Sequence, residues 1–549
     1  MSLKPAPIGP IPEETVRVAR RAFPKGSVAI RLRDEFGSLY QDQDFQTLFP
    51  THGQPGLAPW RLALVTVLQF LENLSDRQAA EAVQARIDWK YALGLELTDA
   101  GFHFSVLTEF RTRLVAGGAE SLLLDRLLER FQQRGLVKAR GQQRTDSTHV
   151  LAAVHSLHLL ELVGETLRAT LNDLATVAPA WLQSVARPEW FERYVHRVED
   201  YRLPKSNQAR EVYAVQIGID GFILLEALQQ DPGSGTLGQR PAVEILRRVW
   251  GHHYERTHEG CRWRAVKELP VVAERICSPY DPEAHFSHKR SVAWTGYKVH
   301  LTETCDADAI HLIVHTETCP AMIPDVASTA GIHHKLAQKQ LLPAEHVIDT
   351  GYNDAALLVS SAQQYGIRLI GPVRENVSWQ AKANQGYDLT HFEVQWEQQR
   401  VICPQGKIST RWRPEKDAFG NDIISLKFSR SDCKPCPVRS LCTHCRTAPR
   451  NIVLRPREQQ EGLSAARTRI RSVEGKAEYD VRAGIEGTLS QAIRAFGLRR
   501  TRYRGLAKTS LQHAVTAAAI NVQRVVSWLN GVPQEKTRRS RFARLAPAS

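Results

Sequence analysis

The chain has 549 residues, 42% of them hydrophobic and 24% charged, and a formal net charge of +14; at roughly 150 residues per domain this is material for three or four domains. The opening residues "MSLKPAPIGPIPEE" lack the apolar core of a signal peptide, and the most apolar early stretch, "WRLALVTVLQFLENL", is amphipathic and too short to cross a bilayer, which argues against secretion and membrane insertion. Nine cysteines, five of them between Cys403 and Cys445, point to metal ligation in a reducing compartment over a disulfide framework, so a cytoplasmic location is expected.

Residues 1–59, rich in Pro and Gly, suggest an arm with one short helix or so. From 60 to 140 the apolar residues of "PWRLALVTVLQFLENLSDRQAAEAVQARIDWKYALG" recur at helical spacing and Ser75-Asp76 marks a helix start, while "HFSVLTEFRTRLVAGGAESLLLDRLLERFQQRGLV" supplies two more helices around Gly117-Gly118. This predicts a helical domain, compatible with a helix-turn-helix DNA reader and with a plain bundle. At "QQRTDSTHVLAAV", within 141–155, the period shifts to that of a strand, and residues 156–285 then turn helical as an insertion. Across 286–375 the pattern gives strands at "WTGYKVHLTET" and "AIHLIVHTET", a helix from Asp325 to Gln340, a strand ending at Asp349, a helix through Tyr365 and a strand at "IRLIGPV". Residues 376–475 are loop-rich, hold the cysteines and run strongly basic. Helices at "KAEYDVRAGIEGTLSQAIRAFGL" and "KTSLQHAVTAAAINVQRVVSWL" fill 476–530, and 531–549 form a basic tail. The fold class expected is α/β, a mixed sheet with flanking helices whose first two strands bracket a large helical insertion.

The positive charge is concentrated. From Arg494 to Ser549 there are twelve Lys or Arg against one acidic residue, Glu535, which is the footprint of a polyanion partner. Each phosphate neutralised on duplex DNA would add about 0.9 to the log–log salt slope. The candidate contacts are Arg494, Arg499, Arg500, Arg502, Arg504 and Lys508.

Two constellations carry chemistry. A strand whose last residue is a carboxylate presents it at the sheet edge where open α/β sheets place ligands, which singles out Asp349 in "EHVIDTGYNDAALL". The plainer alternative is a tight turn opened by Asp349 with Gly351, or a helix cap from Asn353 or Asp354. Asp146 in the first strand and Glu486 on the helix "YDVRAGIEGTLSQAIR" would aim at the same point. Three such carboxylates can hold two divalent cations about 3.5–4 Å apart for work on a phosphodiester, and the hard ligand set suits magnesium. The second constellation is Cys433-x2-Cys436, Cys442-x2-Cys445 and Cys403 before Pro-Gln-Gly: five thiols and His444 for the four places of a tetrahedral zinc, with spacing alone favouring the two knuckles. His149, His252-His253 and His333-His334 are expected in packing or on helix surfaces, and Trp294 and Tyr297 in the core. Lys289, Arg290 and Trp379-Gln380 are weaker candidates for contact with DNA or a flipped base.

Taken in order, "PWRLALVTVLQFLENLSDRQAAEAV", "RTDSTHV", "HKRSVAWTGYKVHLTETCD", "VIDTGYNDAALL", "CPQGK", "DCKPCPVRSLC" and "GIEGTLSQAIRAFGLRRTRYRGLAKTSLQHAVTAAAINVQR" resemble the DDE transposases of bacterial insertion sequences, the IS1182 family in particular. The resemblance spans most of the chain. It implies an RNase H-like core with Asp146, Asp349 and Glu486 as the catalytic triad on two Mg2+ or Mn2+ ions, and a zinc on Cys403, Cys433, Cys436 and Cys442, with Cys445 as the alternative ligand. It also implies double-stranded DNA as partner, at terminal inverted repeats and at the target, and a homodimer in a synaptic complex. In such relatives a tyrosine, an arginine, the glutamate and a basic residue follow at steps of three, four and seven. Tyr479, Arg482 and Glu486 match, whereas residue 493 is Ile and Arg494 stands one place later. On a continuous helix Arg482, Glu486, Ser490 and Arg494 share one face, so Arg482 and Arg494 are expected on DNA phosphate. The rival functions are a relict that binds DNA without cutting and a host RNase H-like nuclease.

Overall fold

Six strands make the central sheet: β1 (Gln142–Leu151), β2 (His285–Lys289), β3 (Val292–Thr304), β4 (Ile313–Pro320), β5 (Glu345–Ile348) and β6 (Arg368–Ile370). The structure is a computed structural model that describes residues 2–154, 157–230, 235–258, 260–289, 291–532 and 545. β3 is 13 residues long and takes two partners along one edge, β2 against Val292–Gly296 and β4 against Tyr297–Glu303. Its other edge pairs antiparallel with β1, which sets Asp146 opposite Leu301. β5 adds parallel to β1, and β6 parallel to β5. The sheet is thus mixed, as the sequence predicts. β2 was not foreseen because His285–Lys289 holds no buried residue and so shows no apolar alternation.

Helices cover the sheet. Asp325–Gln338 and Ala355–Tyr365 connect β4 to β5 and β5 to β6. Helix Leu506–Leu529 lies against β4 on one side and against the N-terminal helices on the other, with fifteen buried residues from Thr509 to Val526. One hydrophobic core therefore runs from the N-terminal segment through the sheet to this helix.

Residues 1–59 are not an arm. They fold into Glu13–Ala22, Val28–Phe36 and a 3-10 helix at Asp42–Leu48, and bury Leu3, Leu32, Tyr40 and Phe45 in the common core. Pro12, Pro24, Gly26 and Gly37, which read as loop composition, sit at the boundaries between these short helices. The helical stretch that follows is Pro59–Leu71, Asp76–Ala85, Ile87–Leu93, Ser105–Ala116 and Leu122–Gln133. Ser75 caps the second of these in a reciprocal box with Gln78.

The segment between β1 and β2 packs helices Leu159–Val177, Asn207–Gln230 and Pro241–His253 around a core of its own, including Leu167, Ile217, Leu224, Leu246 and Trp250. A hairpin, Tyr254–Thr257 with Gly260–Trp263, closes it; four-residue strands leave no periodic signal to detect. Residues 376–475 hold more structure than their loop-rich composition suggests. Glu393–Gln395 pairs with Arg400–Ile402, and Arg411–Lys416, Asp422–Lys427 and Asn451–Leu454 form a second small sheet over Phe392, Val401, Leu426 and Phe428. The exposed helix Arg457–Arg471 follows. Among the described residues no helix is long and apolar enough to cross a membrane.

Candidate active site

Asp146 lies in β1, Asp349 follows the last residue of β5, and Glu486 lies in the first turn of helix Gly484–Phe496. Because β1 and β5 are parallel neighbours, with Thr145 opposite Ile348, the two aspartates leave the sheet side by side. The single long helix expected around Glu486 is instead Val473–Asp480, a 3-10 turn at Val481–Ala483, and Gly484–Phe496. Arg482 sits on that 3-10 turn and still reaches Glu486.

The three carboxylates meet at the Arg482 guanidinium. Nη2 donates to Asp146 Oδ2 at 2.8 Å and lies 3.7 Å from Asp349 Oδ2, while Nη1 is 3.6 Å from Glu486 Oε1. Side-chain exposure rises from 16% at Asp146 through 48% at Asp349 to 70% at Glu486, so Asp146 is the fixed floor of the site and Glu486 its solvent wall. The backbone N–H of Ser147 donates to Asp146 Oδ1 and that of Thr350 to Asp349 Oδ1, both at 2.7 Å. Burial raises the Asp146 carboxyl above its ordinary value; Arg482, the Ser147 N–H and, least, Lys289 oppose the rise, and the Asp349 charge adds to it. Burial works against the Arg482 charge, yet Asp146, Tyr479, Asp349 and Glu486 hold the guanidinium above its usual range.

Asp349 is also an N-cap, of the 3-10 turn Thr350–Tyr352, and Asp354 caps helix Ala355–Tyr365 through the Leu357 N–H. Gly351 does not supply the turn. It has no positive φ, and a Cβ there would make ordinary contact with Asp325 at 3.5 Å.

A buried charge cluster that the sequence reasoning missed holds the glutamate helix on the sheet. Glu303 of β3 is fully buried and accepts from Arg144 Nε at 2.7 Å, Arg524 Nη1 at 2.9 Å and Thr488 Oγ1 at 2.6 Å. Burial disfavours its charge, but Arg524, Arg144 and Thr488 outweigh that and hold the carboxyl below its ordinary value. Arg144 Nη1 also donates to the carbonyl of Val481 at 2.6 Å, and Arg524 reaches Thr488 and Gln491 on the helix. Gly484 makes room for this: a Cβ there would stand 2.1 Å from Arg144 Nη1. An arginine two residues before Asp146 and a glycine two before Glu486 were the available signals.

The basic candidates divide. Arg494 and Arg500 are exposed, while Ile493 packs against the core, so the place one step earlier faces inward and the cation stands at 494. Arg499 donates to Thr148 Oγ1 at 2.8 Å beside the site, and exposed Lys289 lies within electrostatic reach of Asp146. Arg504 stacks on Tyr280 at 5.2 Å, and Lys508 is exposed. Arg502 is turned inward: it donates to the carbonyl of Leu74 and to Asn73 and lies over the Phe70 ring, which makes it a tie to the N-terminal helices. Arg290 and most of the 531–549 tail lie outside the described residues. Gln380 is buried and donates to the Cys442 carbonyl, and Trp379 stacks on His444 at 3.9 Å, so this pair braces the cysteine region. His149 stacks on Trp294, and His253 and His333 are buried.

Cys403, Cys433, Cys436 and Cys442 line one small cavity of about 30 Å3, and Cys445 is outside it and exposed. Burial raises the Cys442 thiol, and neighbouring Cys436, Cys403 and Cys433 raise it further. The Lys407 N–H donates to Cys403 Sγ at 3.3 Å, the kind of bond that steadies a thiolate ligand. Four sulfurs lining one cavity are a donor set whose chemistry suits a soft or borderline metal. As placed, the carboxylates are spaced around a guanidinium and the sulfurs around a cavity, and among the described residues no three His, Cys, Asp or Glu groups converge tightly enough to enclose an ion.

Two family models match the chain: Transposase domain (DUF772) over residues 18–113, and Transposase DDE domain over residues 402–526, which includes the cysteines and Glu486. Asp146 and Asp349 lie outside both stretches. No curated protein matches. With a transposase domain towards each end, the chain has the IS1182-type architecture of a DDE transposase of an insertion sequence.

Proposed function

We propose that this chain binds the terminal inverted repeats of its own insertion sequence, cuts the DNA there and joins the freed end to target DNA, with Asp146, Asp349 and Glu486 as the triad of an RNase H-like site. The observation that carries this is the convergence of three carboxylates, from β1, from the end of β5 and from a distant helix, on one guanidinium. The sheet supports it: three antiparallel strands, β4-β3-β1, continue into two parallel ones, β5 and β6, and the carboxylates lie at the edge where ligands bind open sheets.

The all-oxygen donor set fits Mg2+ or Mn2+, which when bound as a pair would supply Lewis acidity at the scissile phosphate and acidify the attacking water. Asp146 and Asp349, each fixed by a backbone N–H, hold their remaining oxygens toward the reacting centre. Glu486, the most exposed, would complete the metal-holding set as its third carboxylate. Water oxygen attacks phosphorus and the P–O3′ bond breaks; the released 3′-hydroxyl then attacks a target phosphodiester in line, forming a new P–O bond while the target's own P–O3′ bond breaks and its 3′-oxygen leaves as the hydroxyl. Arg482, Arg494, Arg499, Arg500 and Lys289 would supply positive charge for the DNA backbone. Zinc on Cys403, Cys433, Cys436 and Cys442 would pin the insertion that precedes the glutamate helix. Two element ends require two sites, so a homodimer on paired ends, in the cytoplasm, completes the proposal.

The test is incubation of a plasmid carrying the DNA that flanks this gene with Mg2+ and either the intact chain or Glu486→Gln. Breaks at inverted-repeat ends made by the first and absent with the second support the function. If both proteins shift the flanking DNA and neither cuts, the relict binding protein replaces it.

A further inference from the structure

The two buried arginine clusters differ in how completely they are satisfied. At Glu303 the carboxylate takes donors from Arg144, Arg524 and Thr488, and it is fully buried. Arg482 makes one close bond, to Asp146, and longer approaches of 3.7 and 3.6 Å to Asp349 and Glu486; its side chain is 15% exposed, and its buried Nε has no hydrogen-bond partner among the described residues. The backbone beneath it is anchored, since Arg144 holds the Val481 carbonyl. A fixed backbone, a half-satisfied guanidinium and three carboxylates at different depths describe an ion pair that can be exchanged at low cost.

A divalent cation on these oxygens and the Arg482 guanidinium ask for the same partners. Asp146 Oδ2 already accepts from Nη2, and two positive charges on one oxygen a few ångströms apart repel strongly in a partly buried site. We propose that Arg482 is the internal counter-cation of the triad: it keeps the three carboxylates together, yields its place to the divalent cation, and turns its fork outward to the DNA. This rests on the triad assignment above and adds to it an exchange that sets the metal affinity.

Calorimetric titration of the full chain with Mn2+, without DNA, tests it. Arg482→Gln is expected to bind Mn2+ at least roughly tenfold more tightly than the native chain, and Arg482→Lys, which keeps a displaceable cation, to stay near the native affinity. Without Mn2+ the melting temperature of Arg482→Gln should fall, and Mn2+ should restore it. Equal or weaker binding by Arg482→Gln, with its circular dichroism unchanged, overturns the proposal, because the arginine then shapes the site without competing for it. Adding Asp146→Asn to Arg482→Gln should abolish the gain. If the double variant binds as tightly as Arg482→Gln, the cation sits elsewhere, and the triad assignment falls together with the exchange.

Discussion

Arg144 donates to the carbonyl of Val481 at 2.6 Å, joining residues 337 positions apart in the chain. The same guanidinium is held by Glu303, so one buried carboxylate couples β1, with Asp146, to the turn that carries Arg482. Glu303→Gln leaves two arginines without their anion and should cost about 3–5 kcal/mol, the usual range for breaking a buried pair from one side. Urea unfolding gives that number. Single-turnover cleavage at low urea, where the variant is folded, should also be slowed; native rates there would mean that the cluster stabilises the fold without aligning the site.

Gly484→Ala probes the same alignment from the other side. The new methyl would stand 2.1 Å from Arg144 Nη1, so either the arginine or the helix must shift. A loss of about 1–3 kcal/mol is expected from such overpacking. Cleavage should fall by more than the folded fraction does, and the check is the ratio of the two in one preparation. Gly487→Ala on the same helix, where a Cβ meets nothing within 4 Å, is the control and should be close to native.

For the cysteines the expectation is a split. Cys442→Ser should strip the zinc from the purified chain, measured by elemental analysis, and destabilise the small sheets around Leu426 and Phe428. Cys445→Ser should keep the metal, because its sulfur stands outside the cavity. Zinc loss in both variants would move the site to the two knuckles.

The arginines separate by salt dependence. Arg494→Ala and Arg500→Ala, each removing an exposed cation, should lower the log–log salt slope of DNA binding by about 1 apiece. Arg502→Ala should leave the slope unchanged and reduce stability by about 1–3 kcal/mol, since its hydrogen bonds go to Leu74 and Asn73. A drop in slope with Arg502→Ala would return it to the DNA surface.

Acid should weaken the fold in a defined window. Burial lowers His253, His300 and His333 to about 4 from the ordinary 6.5. The unfolded chain then takes up protons first as pH falls, so stability present above 6.5 drains away between there and about 4, on the order of 1–2 kcal/mol per histidine by pH 5. Glu317 loses its share lower still, towards about 2: burial opposes its charge, but His315 and Lys335 outweigh that and hold the carboxyl down. The urea midpoint at pH 7 and at pH 5 measures the first window; equal midpoints would mean these histidines accept protons while folded.

The parts legible in the sequence are those with a period or a punctuation mark. β5 could be placed because an apolar pair runs into Asp349, and helix Leu506–Leu529 because its apolar face is broad. β2, the hairpin at Tyr254–Trp263 and the small sheets near the cysteines lack either signal. The N-terminal helices were hidden by prolines and glycines that end helices as readily as they fill arms. At the site, the carboxylates stand out by position, whereas Glu303 sits in "HLTET" as one more polar residue of an alternating strand. Only the pairing of β3 with β1, and the docking of a helix some 180 residues later, makes it an anchor. The inward turn of Arg502 was hidden for the mirror reason: its neighbours Arg500 and Arg504 are basic and exposed, and nothing local marks the one that turns in.

Helix Leu506–Leu529 bears on the order in which the molecule can be made. It fills the groove between the N-terminal helices and the sheet, yet it leaves the ribosome after every element it joins. Until then the apolar faces meant for it stay wet, and the cluster at Glu303 lacks Arg524. A polypeptide still being translated therefore can neither close its common core nor complete the anchor that holds the glutamate helix until this helix has emerged.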